Sequence, residues 1–443
     1  MNNIAEKVTP NNVKEILGKH ILADGYDLVM DYEKSHGSVI VDKLSGNEYL
    51  DMFSMFGSSA VGYNHPYIAA KENWLGKHAT YRPTMSDVYF EEYAKFMEVF
   101  ERVVIPKELQ YCFFIDGGAL AVENALKTAF DWKTRKNWLK NSKTEGSKVI
   151  HFEQAFHGRS GYTLSLTNTY DPRKYQYFPL FNWPRIVNPK MHFPLTEENL
   201  AKTKEAEAKA LLHIQEVILA QPEEIACMII EPIQSEGGHN HFRKEFLQKL
   251  RDICTENEIL LIFDEVQTGI GMSGSMFAYQ EIGVTPDIVC FGKKTQVCGI
   301  LANKEKLDEV ENNVFQESSR LNSTFGGNFI DMLRLQLILE IIENENLVEH
   351  AKTEGQFLLQ ELQKLEQKHP QILSNARGLG LLCAIDFPNN EIRNQAISDI
   401  MNQEKVIMLA CGENSLRFRS QLNVTREELK IALQAIDHVV SKM

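Results

Sequence analysis

The feature that most constrains this chain is an alternation through its middle: short, almost wholly apolar runs separated by longer stretches with helical spacing. Tyr111 to Ile115, Lys148 to Phe152, Ala226 to Glu231, Ile259 to Asp264 and Asp287 to Phe291 read as strands. Several lack polar alternation, as a strand covered on both faces must. Between them, Ala119 to Lys133 and Phe242 to Asn257 read as helices. In the first, Val122, Ala125, Leu126, Ala129 and Phe130 make one apolar face, with Glu123, Asn124, Lys127 and Thr128 filling much of the rest. Strand and helix in repetition predict an α/β fold with a mostly parallel sheet between helices.

From Asp331 the pattern changes. A helical segment, Asp331 to Leu365, leads to short strands around Gly380 to Phe387, Val406 to Leu409 and Ser415 to Arg419, and an amphipathic helix, Arg426 to Val440, follows. These predict a smaller α+β unit over residues 331–443. Strand-like pieces at Ser38 to Asp42 and Glu48 to Asp51 place an N-terminal segment, residues 1–70, in the same unit. Residues 71–330 form the large one.

Charge narrows the function classes. The formal net charge is -13 and no long Lys/Arg block occurs, so the footprint of a nucleic-acid binder is missing. Met1 to Pro10 lacks the apolar centre of a signal peptide. Runs such as Ile259 to Phe263 and Ala226 to Ile230 are too short to cross a bilayer. A soluble, cytoplasmic protein without nucleic-acid or membrane partners is expected. Seven cysteines, Cys112, Cys227, Cys254, Cys290, Cys298, Cys383 and Cys411, sit mostly in apolar strings without metal-ligand spacing. They read as small hydrophobes in a reducing compartment. His239 and His241 are two apart in a polar stretch with no third ligand in view, so a surface loop is expected there and no metal.

Three features along the presumed sheet carry chemistry. Asp116-Gly117-Gly118-Ala119 stands where a strand gives way to a helix. Small residues let a ligand approach the backbone, and a helix N-terminus offers unpaired N–H groups to an anion; alone it is equally a tight turn. Asp264-Glu265 ends an apolar strand, so both carboxylates are expected at the sheet's carboxyl edge, where open α/β sheets bind ligands. Alone, that pair also suits a magnesium–nucleotide site. Gly292-Lys293-Lys294 follows another apolar strand. A lysine desolvated there has a lowered pKa and a nucleophilic amine, though a lone lysine is usually a surface charge. Together they match what pyridoxal phosphate demands: a phosphate cradle, a carboxylate for the pyridine nitrogen and an amine for the aldehyde.

Here the sequence resembles the class III aminotransferases, the fold-type I group that includes the ornithine and GABA enzymes. The resemblance rests on Gly117-Gly118-Ala119 with Glu123-Asn124-Ala125, Phe156-His157-Gly158-Arg159, Phe263 to Gly269, Gly292-Lys293, Thr324 to Asn328 and Leu416-Arg417-Phe418. Asp116 to Lys127, Phe291 to Gly299 and Ser319 to Thr324 resemble its L-lysine 6-aminotransferase subfamily. The resemblance implies a seven-stranded, mostly parallel large domain, a smaller α+β domain and a homodimer with the active site at the subunit interface. It implies that Lys293 carries pyridoxal 5′-phosphate as a Schiff base and moves the substrate proton, and that Asp264 pairs with the ring nitrogen. Gly118 and Ala119 hold the phosphate, with Thr324 reaching it from the partner subunit. Phe156 stacks on the ring and Gln267 lies near its hydroxyl. Arg159 and Arg417 hold substrate carboxylates, and Glu236 pairs with Arg417 when lysine is bound. Either arginine would otherwise be an ordinary surface charge.

The implied reaction takes the ε-amino group of L-lysine to 2-oxoglutarate, giving 2-aminoadipate 6-semialdehyde and L-glutamate; transfer from ornithine or GABA is the alternative. One departure stands out. Arg419-Ser420-Gln421 follows Arg417-Phe418 where family members carry proline, so a different backbone is expected around Arg417. Two other motifs are set aside. Gly269 to Gly274 satisfies GxGxxG, but Asp264 to Thr268 separate it from the strand a dinucleotide fingerprint must follow. The aromatic stretch Tyr170 to Trp183 is interrupted by Pro172 and Pro179 and reads as an ordered loop packed on the domain.

Overall fold

The computed structural model describes residues 8–81 and 87–443; Met1 to Lys7, at the polar N-terminus, lie outside the described residues. Its centre is a seven-stranded sheet of β1 (Tyr111–Ile115), β2 (Lys148–Phe152), β3 (Arg185–Ile186), β4 (Ile225–Ile230), β5 (Leu260–Asp264), β6 (Ile288–Phe291) and β7 (Cys298–Ala302), in the order β1-β7-β6-β5-β4-β2-β3. Every pairing is parallel except those of β7, which runs against both β6 and β1. The apolar pattern did not single out β3, which is only two residues long, or β7, whose run Gly299 breaks. A Cβ at Gly299 would stand 2.2 Å from the Phe113 carbonyl oxygen, so only glycine fits between β1 and β6.

β4, β5 and β6 are buried at every position, which is why their sequences are unbroken apolar runs. Each fully buried Ile, Leu or Phe there contributes about 1.5–3 kcal/mol from apolar area removed from water. The helix Gly118–Leu139 crosses one face and packs on β7, β4 and β6, burying Ala121, Val122, Ala125, Leu126, Ala129 and Trp132.

The segment expected as one helix from Asp331 to Leu365 is two, Phe329–Asn344 and Leu347–Lys368. The chain turns at Asn346, whose φ of 52° is left-handed, a conformation asparagine tolerates better than most residues. The C-terminal strands form a four-stranded sheet over 374–379, 382–386, 409–411 and 415–417. Glu48–Asp51 pairs in parallel with Val406–Ile407, so the first strands join the chain's C-terminal third.

Two expectations fail. His239 is fully buried, and His241 follows it in a short hairpin strand, Asn240–His241, paired with Ile233–Gln234. Arg377 donates to the His239 carbonyl at 2.9 Å, so this polar stretch is interior, held by hydrogen bonds rather than solvated. The aromatic stretch is only partly packed: Trp183 is buried against Phe130 and Tyr162, whereas Tyr177 and Phe178 are exposed. Six cysteines are buried and Cys112 is intermediate; all seven are unpaired. Among the described residues no helix is long and apolar enough to cross a membrane.

Candidate active site

The carboxyl ends of β1, β5 and β6 open on one cavity of about 450 Å³. Gly118, Ala119, Phe156, Arg159, Glu236, Asp264, Gln267, Lys293 and Arg417 all line it. Thr324 does not; it is exposed, on a loop whose far end is tied to the cradle by the Asn328 N–H donating to Asp116 Oδ1 at 2.7 Å.

Close packing builds the cradle. A Cβ at Gly118 would meet Val266 Cγ1 at 3.0 Å, and one at Gly292 would meet Cys298 Sγ at 3.0 Å and Val266 Cγ1 at 3.1 Å. Gly158 has φ of +125° and a Cβ there would reach Ala119 at 2.7 Å, so only glycine lets the Phe156-to-Arg159 segment lie against the helix start. Glu123 accepts from the Ser160 hydroxyl at 2.7 Å and the Tyr162 N–H at 2.8 Å, tying that segment to the same helix.

The acidic pair divides. Asp264 faces the cavity, with Oδ1 accepting from Val266 N–H at 3.1 Å. Glu265 does not emerge at the sheet edge as expected. It turns inward, fully buried, and accepts from Ala278 N–H at 2.6 Å, Tyr279 N–H at 2.8 Å and the Thr268 hydroxyl at 2.9 Å. Burial lifts its pKa to about 7 against those bonds. Alternation along an extended chain sends neighbouring side chains to opposite faces, so only one of the two can serve the site.

His157 lies in the quoted motif, but nothing in the sequence gave it a role. Its Nδ1 donates to Asp264 Oδ2 at 2.8 Å, both groups being buried. A carboxylate only accepts, so this bond fixes the imidazole tautomer. Glu231, at the end of β4, is a second residue without a sequence signal. Its carboxyl accepts from Phe156 N–H at 2.9 Å and Ser235 N–H at 3.0 Å, and burial raises its pKa to about 7.

The two lysines separate. Lys293 enters the cavity in a left-handed conformation, φ 56°. Burial, reinforced by Arg417 and Arg419, lowers its pKa to about 8, so roughly a tenth of the amine is neutral at pH 7, far more than for an ordinary lysine. Lys294 points the other way, buried, its Nζ donating to the Gln267 carbonyl at 3.0 Å.

The opposite wall is ionic. Arg417 Nη2 donates to Glu236 Oε2 at 2.6 Å, and Lys174 Nζ donates to Glu236 Oε1 at 2.6 Å. Burial pushes the Glu236 carboxyl up, but Arg417 and Lys174 outweigh it and hold its pKa below the ordinary value. Gln267 Oε1 accepts from Arg417 Nη1 at 3.1 Å and Arg419 Nε at 2.8 Å, leaving its amide nitrogen to face a ligand. Arg419 is buried with no carboxylate within ion-pair distance among the described residues. Its backbone N–H donates to the Met52 carbonyl at 2.9 Å, and Gln421 Nε2 donates to Asp51 Oδ2 at 3.2 Å, so the residues in place of proline tie this sheet to the N-terminal strands. Arg417 Nε is buried and has no partner among the described residues. Arg159 is exposed at the mouth, its guanidinium 5.8 Å from the Phe156 ring centre and without an ion-pair partner among the described residues.

A half-buried amine, a buried carboxylate and a glycine-built helix start, facing one cavity, define a fold-type I aminotransferase centre. The chain belongs to the class III aminotransferases, whose family model matches residues 21–440. These enzymes use pyridoxal 5′-phosphate, and the donor set here fits it: an acceptor for a protonated ring nitrogen, a neutral amine for the aldehyde and backbone N–H groups for the phosphate. The chain is 46% identical over 428 residues to an L-lysine-epsilon aminotransferase of Amycolatopsis lactamdurans, covering 96% of this chain and 94% of that one. A solved lysine aminotransferase from M. tuberculosis in the internal aldimine form superimposes with TM-score 0.95 at 46% identity, over 98% of this chain and 100% of that one. The mitochondrial 4-aminobutyrate aminotransferase of Sus scrofa is 31% identical, over 90% of this chain and 82% of that protein.

Proposed function

We propose that the chain transfers the ε-amino group of L-lysine to 2-oxoglutarate, releasing 2-aminoadipate 6-semialdehyde and L-glutamate. The observation that carries this reading is the Arg417–Glu236 pair at 2.6 Å, in the same cavity as Lys293 and Arg159, which has no ion-pair partner among the described residues. Such a wall suits two substrates that enter in opposite senses. The relatives named as lysine-epsilon aminotransferases support the choice of donor.

When bound, pyridoxal phosphate supplies an electron sink: its protonated ring takes up the electron pair left when a substrate C–H bond breaks. The chain's own residues do the rest. Gly118 and Ala119 N–H groups would hold the phosphate, Phe156 would stack on the ring, and Asp264, oriented by His157, would accept from the protonated ring nitrogen. Gln267 would offer its amide nitrogen to the ring hydroxyl. Lys293 would hold the aldehyde, and its amine, once free, would take and carry the proton from lysine C6.

Lysine carries its carboxylate far from the reacting amine, where Arg159 meets it, while Glu236 neutralises Arg417. 2-Oxoglutarate carries one carboxylate next to the keto carbon, for Arg417, and one at the far end, for Arg159. A guanidinium suits both tasks because its planar fork pairs bidentately with a carboxylate.

The reading extends to a homodimer in which Thr324 completes the phosphate site of the partner subunit; its exposure and its absence from its own chain's cavity support this. It also extends to a large domain over residues 71–330 and a small one from 1–70 and 331–443, supported by the 48–51 to 406–407 pairing. Seven unpaired cysteines support a cytoplasmic setting. The test is glutamate formation from 2-oxoglutarate with L-lysine, L-ornithine or 4-aminobutyrate as donor. Lysine is expected to have the highest kcat/KM, and a higher value for ornithine or 4-aminobutyrate overturns the assignment.

A further inference from the structure

Glu236 is held by two cations, one on each oxygen, and they come from unrelated parts of the chain. Arg417 belongs to the strand 415–417, whereas Lys174 ends the 3-10 turn Pro172–Lys174 in the aromatic loop. That turn is built to present Lys174. The Asp171 side chain accepts from Arg173 N–H at 3.1 Å, and the Arg173 guanidinium folds outward onto Asp171 at 2.8 Å. The Lys174 side chain is only 15% exposed, with Nζ 5.7 Å from the Phe156 ring centre. Glu236 also lines a second cavity of about 490 Å³, whose wall includes Lys174 and Arg393.

We propose that Lys174 is a positioning residue that sets specificity for the second half-reaction, as the seat that keeps Glu236 when a 2-oxo acid takes Arg417. This rests on the two-substrate reading above. Held by Arg417 alone, the Glu236 carboxylate would be left unpaired in a largely buried site once a 2-oxo acid took that arginine. With Lys174 already on its other oxygen, Glu236 needs only to release Nη2 and turn toward the second cavity. Its charge stays paired, and the net charge around Arg417 changes by the incoming carboxylate alone.

Single-turnover rates of the two half-reactions in the holoenzyme test this, with Lys174→Met, Lys174→Arg, Glu236→Gln and the Glu236→Gln/Lys174→Met double variant. Lys174→Met is expected to slow the 2-oxoglutarate half-reaction and weaken its apparent affinity for the oxo acid by roughly tenfold to a hundredfold, the worth of one hydrogen bond to a charged group. The lysine half-reaction should change several-fold less, Lys174→Arg should restore most of the loss, and Lys174→Met should add nothing once Glu236 is glutamine. Equal losses in both half-reactions for Lys174→Met, or the same selective loss in the Glu236→Gln background, overturn the role of Lys174. So does a silent Lys174→Met while Glu236→Gln still discriminates between the halves. Equal losses for Glu236→Gln itself would bring down the exchange at Arg417, and this inference with it.

Discussion

The floor of the cavity and its ionic wall manage charge in opposite ways. On the floor, Asp264 and Lys293 stand at the ends of strands buried at every position, and Asp264 has one fixed side-chain partner, His157. On the wall, Glu236 is shared between Lys174 and Arg417, Gln267 between Arg417 and Arg419, and Arg417 keeps a buried donor unused. A floor of that kind suits a group needed unchanged in both half-reactions. In the proposed reaction, shared partners suit a wall that accepts a carboxylate in one half and does without it in the other. The difference arises because the floor stands at strand ends, whereas Glu236, Lys174 and Gln267 lie on loops beside the strand that carries Arg417.

Replacing Lys293 with Ala should have the largest effect. Turnover is expected to fall by about 10³–10⁴-fold or more, because the anchoring amine and the proton carrier go together. Steady-state glutamate formation measures it, and a loss under tenfold would show that the floor does not depend on this amine. His157→Phe should come next. It strips Asp264 of its side-chain partner and is expected to cost roughly 3 kcal/mol in denaturant unfolding of the cofactor-free protein, with kcat lowered more than KM is raised. An unchanged unfolding midpoint would mean the bond does not fix the floor.

The smallest effect joins the two regions. Lys293 attacks an aldehyde only as the neutral amine, so cofactor uptake by the cofactor-free protein should rise with pH and level off above about 8. Arg419 is one of the cations that lower this pKa, so Arg419→Met should move the midpoint upward, by less than about one unit. A midpoint that stayed put, or moved down, would separate the wall from the floor electrostatically.

Much of the floor was legible in the sequence, and little of the wall's pairing was. Gly118, Asp264 and Lys293 each follow an apolar run, and a run buried on both faces fixes where a strand ends and so where the next polar residue emerges. The same logic failed for Glu265, since alternation along the extended chain at the strand's end sends it to the opposite face from Asp264. It failed again at Asn346, where one left-handed residue splits a segment whose periodicity reads as continuous.

Local patterning by itself determined the α/β core and the strand ends, because burial periodicity is written into neighbouring residues; the choice of Lys293 over Lys294 came from the family resemblance. Only the tertiary structure decided that His157 meets Asp264 across 107 residues, that Lys174 shares Glu236 with Arg417, and that Arg419 is interior. Those contacts depend on strand order and on loops meeting across the sheet edge, and no spacing along the chain encodes a distance through space.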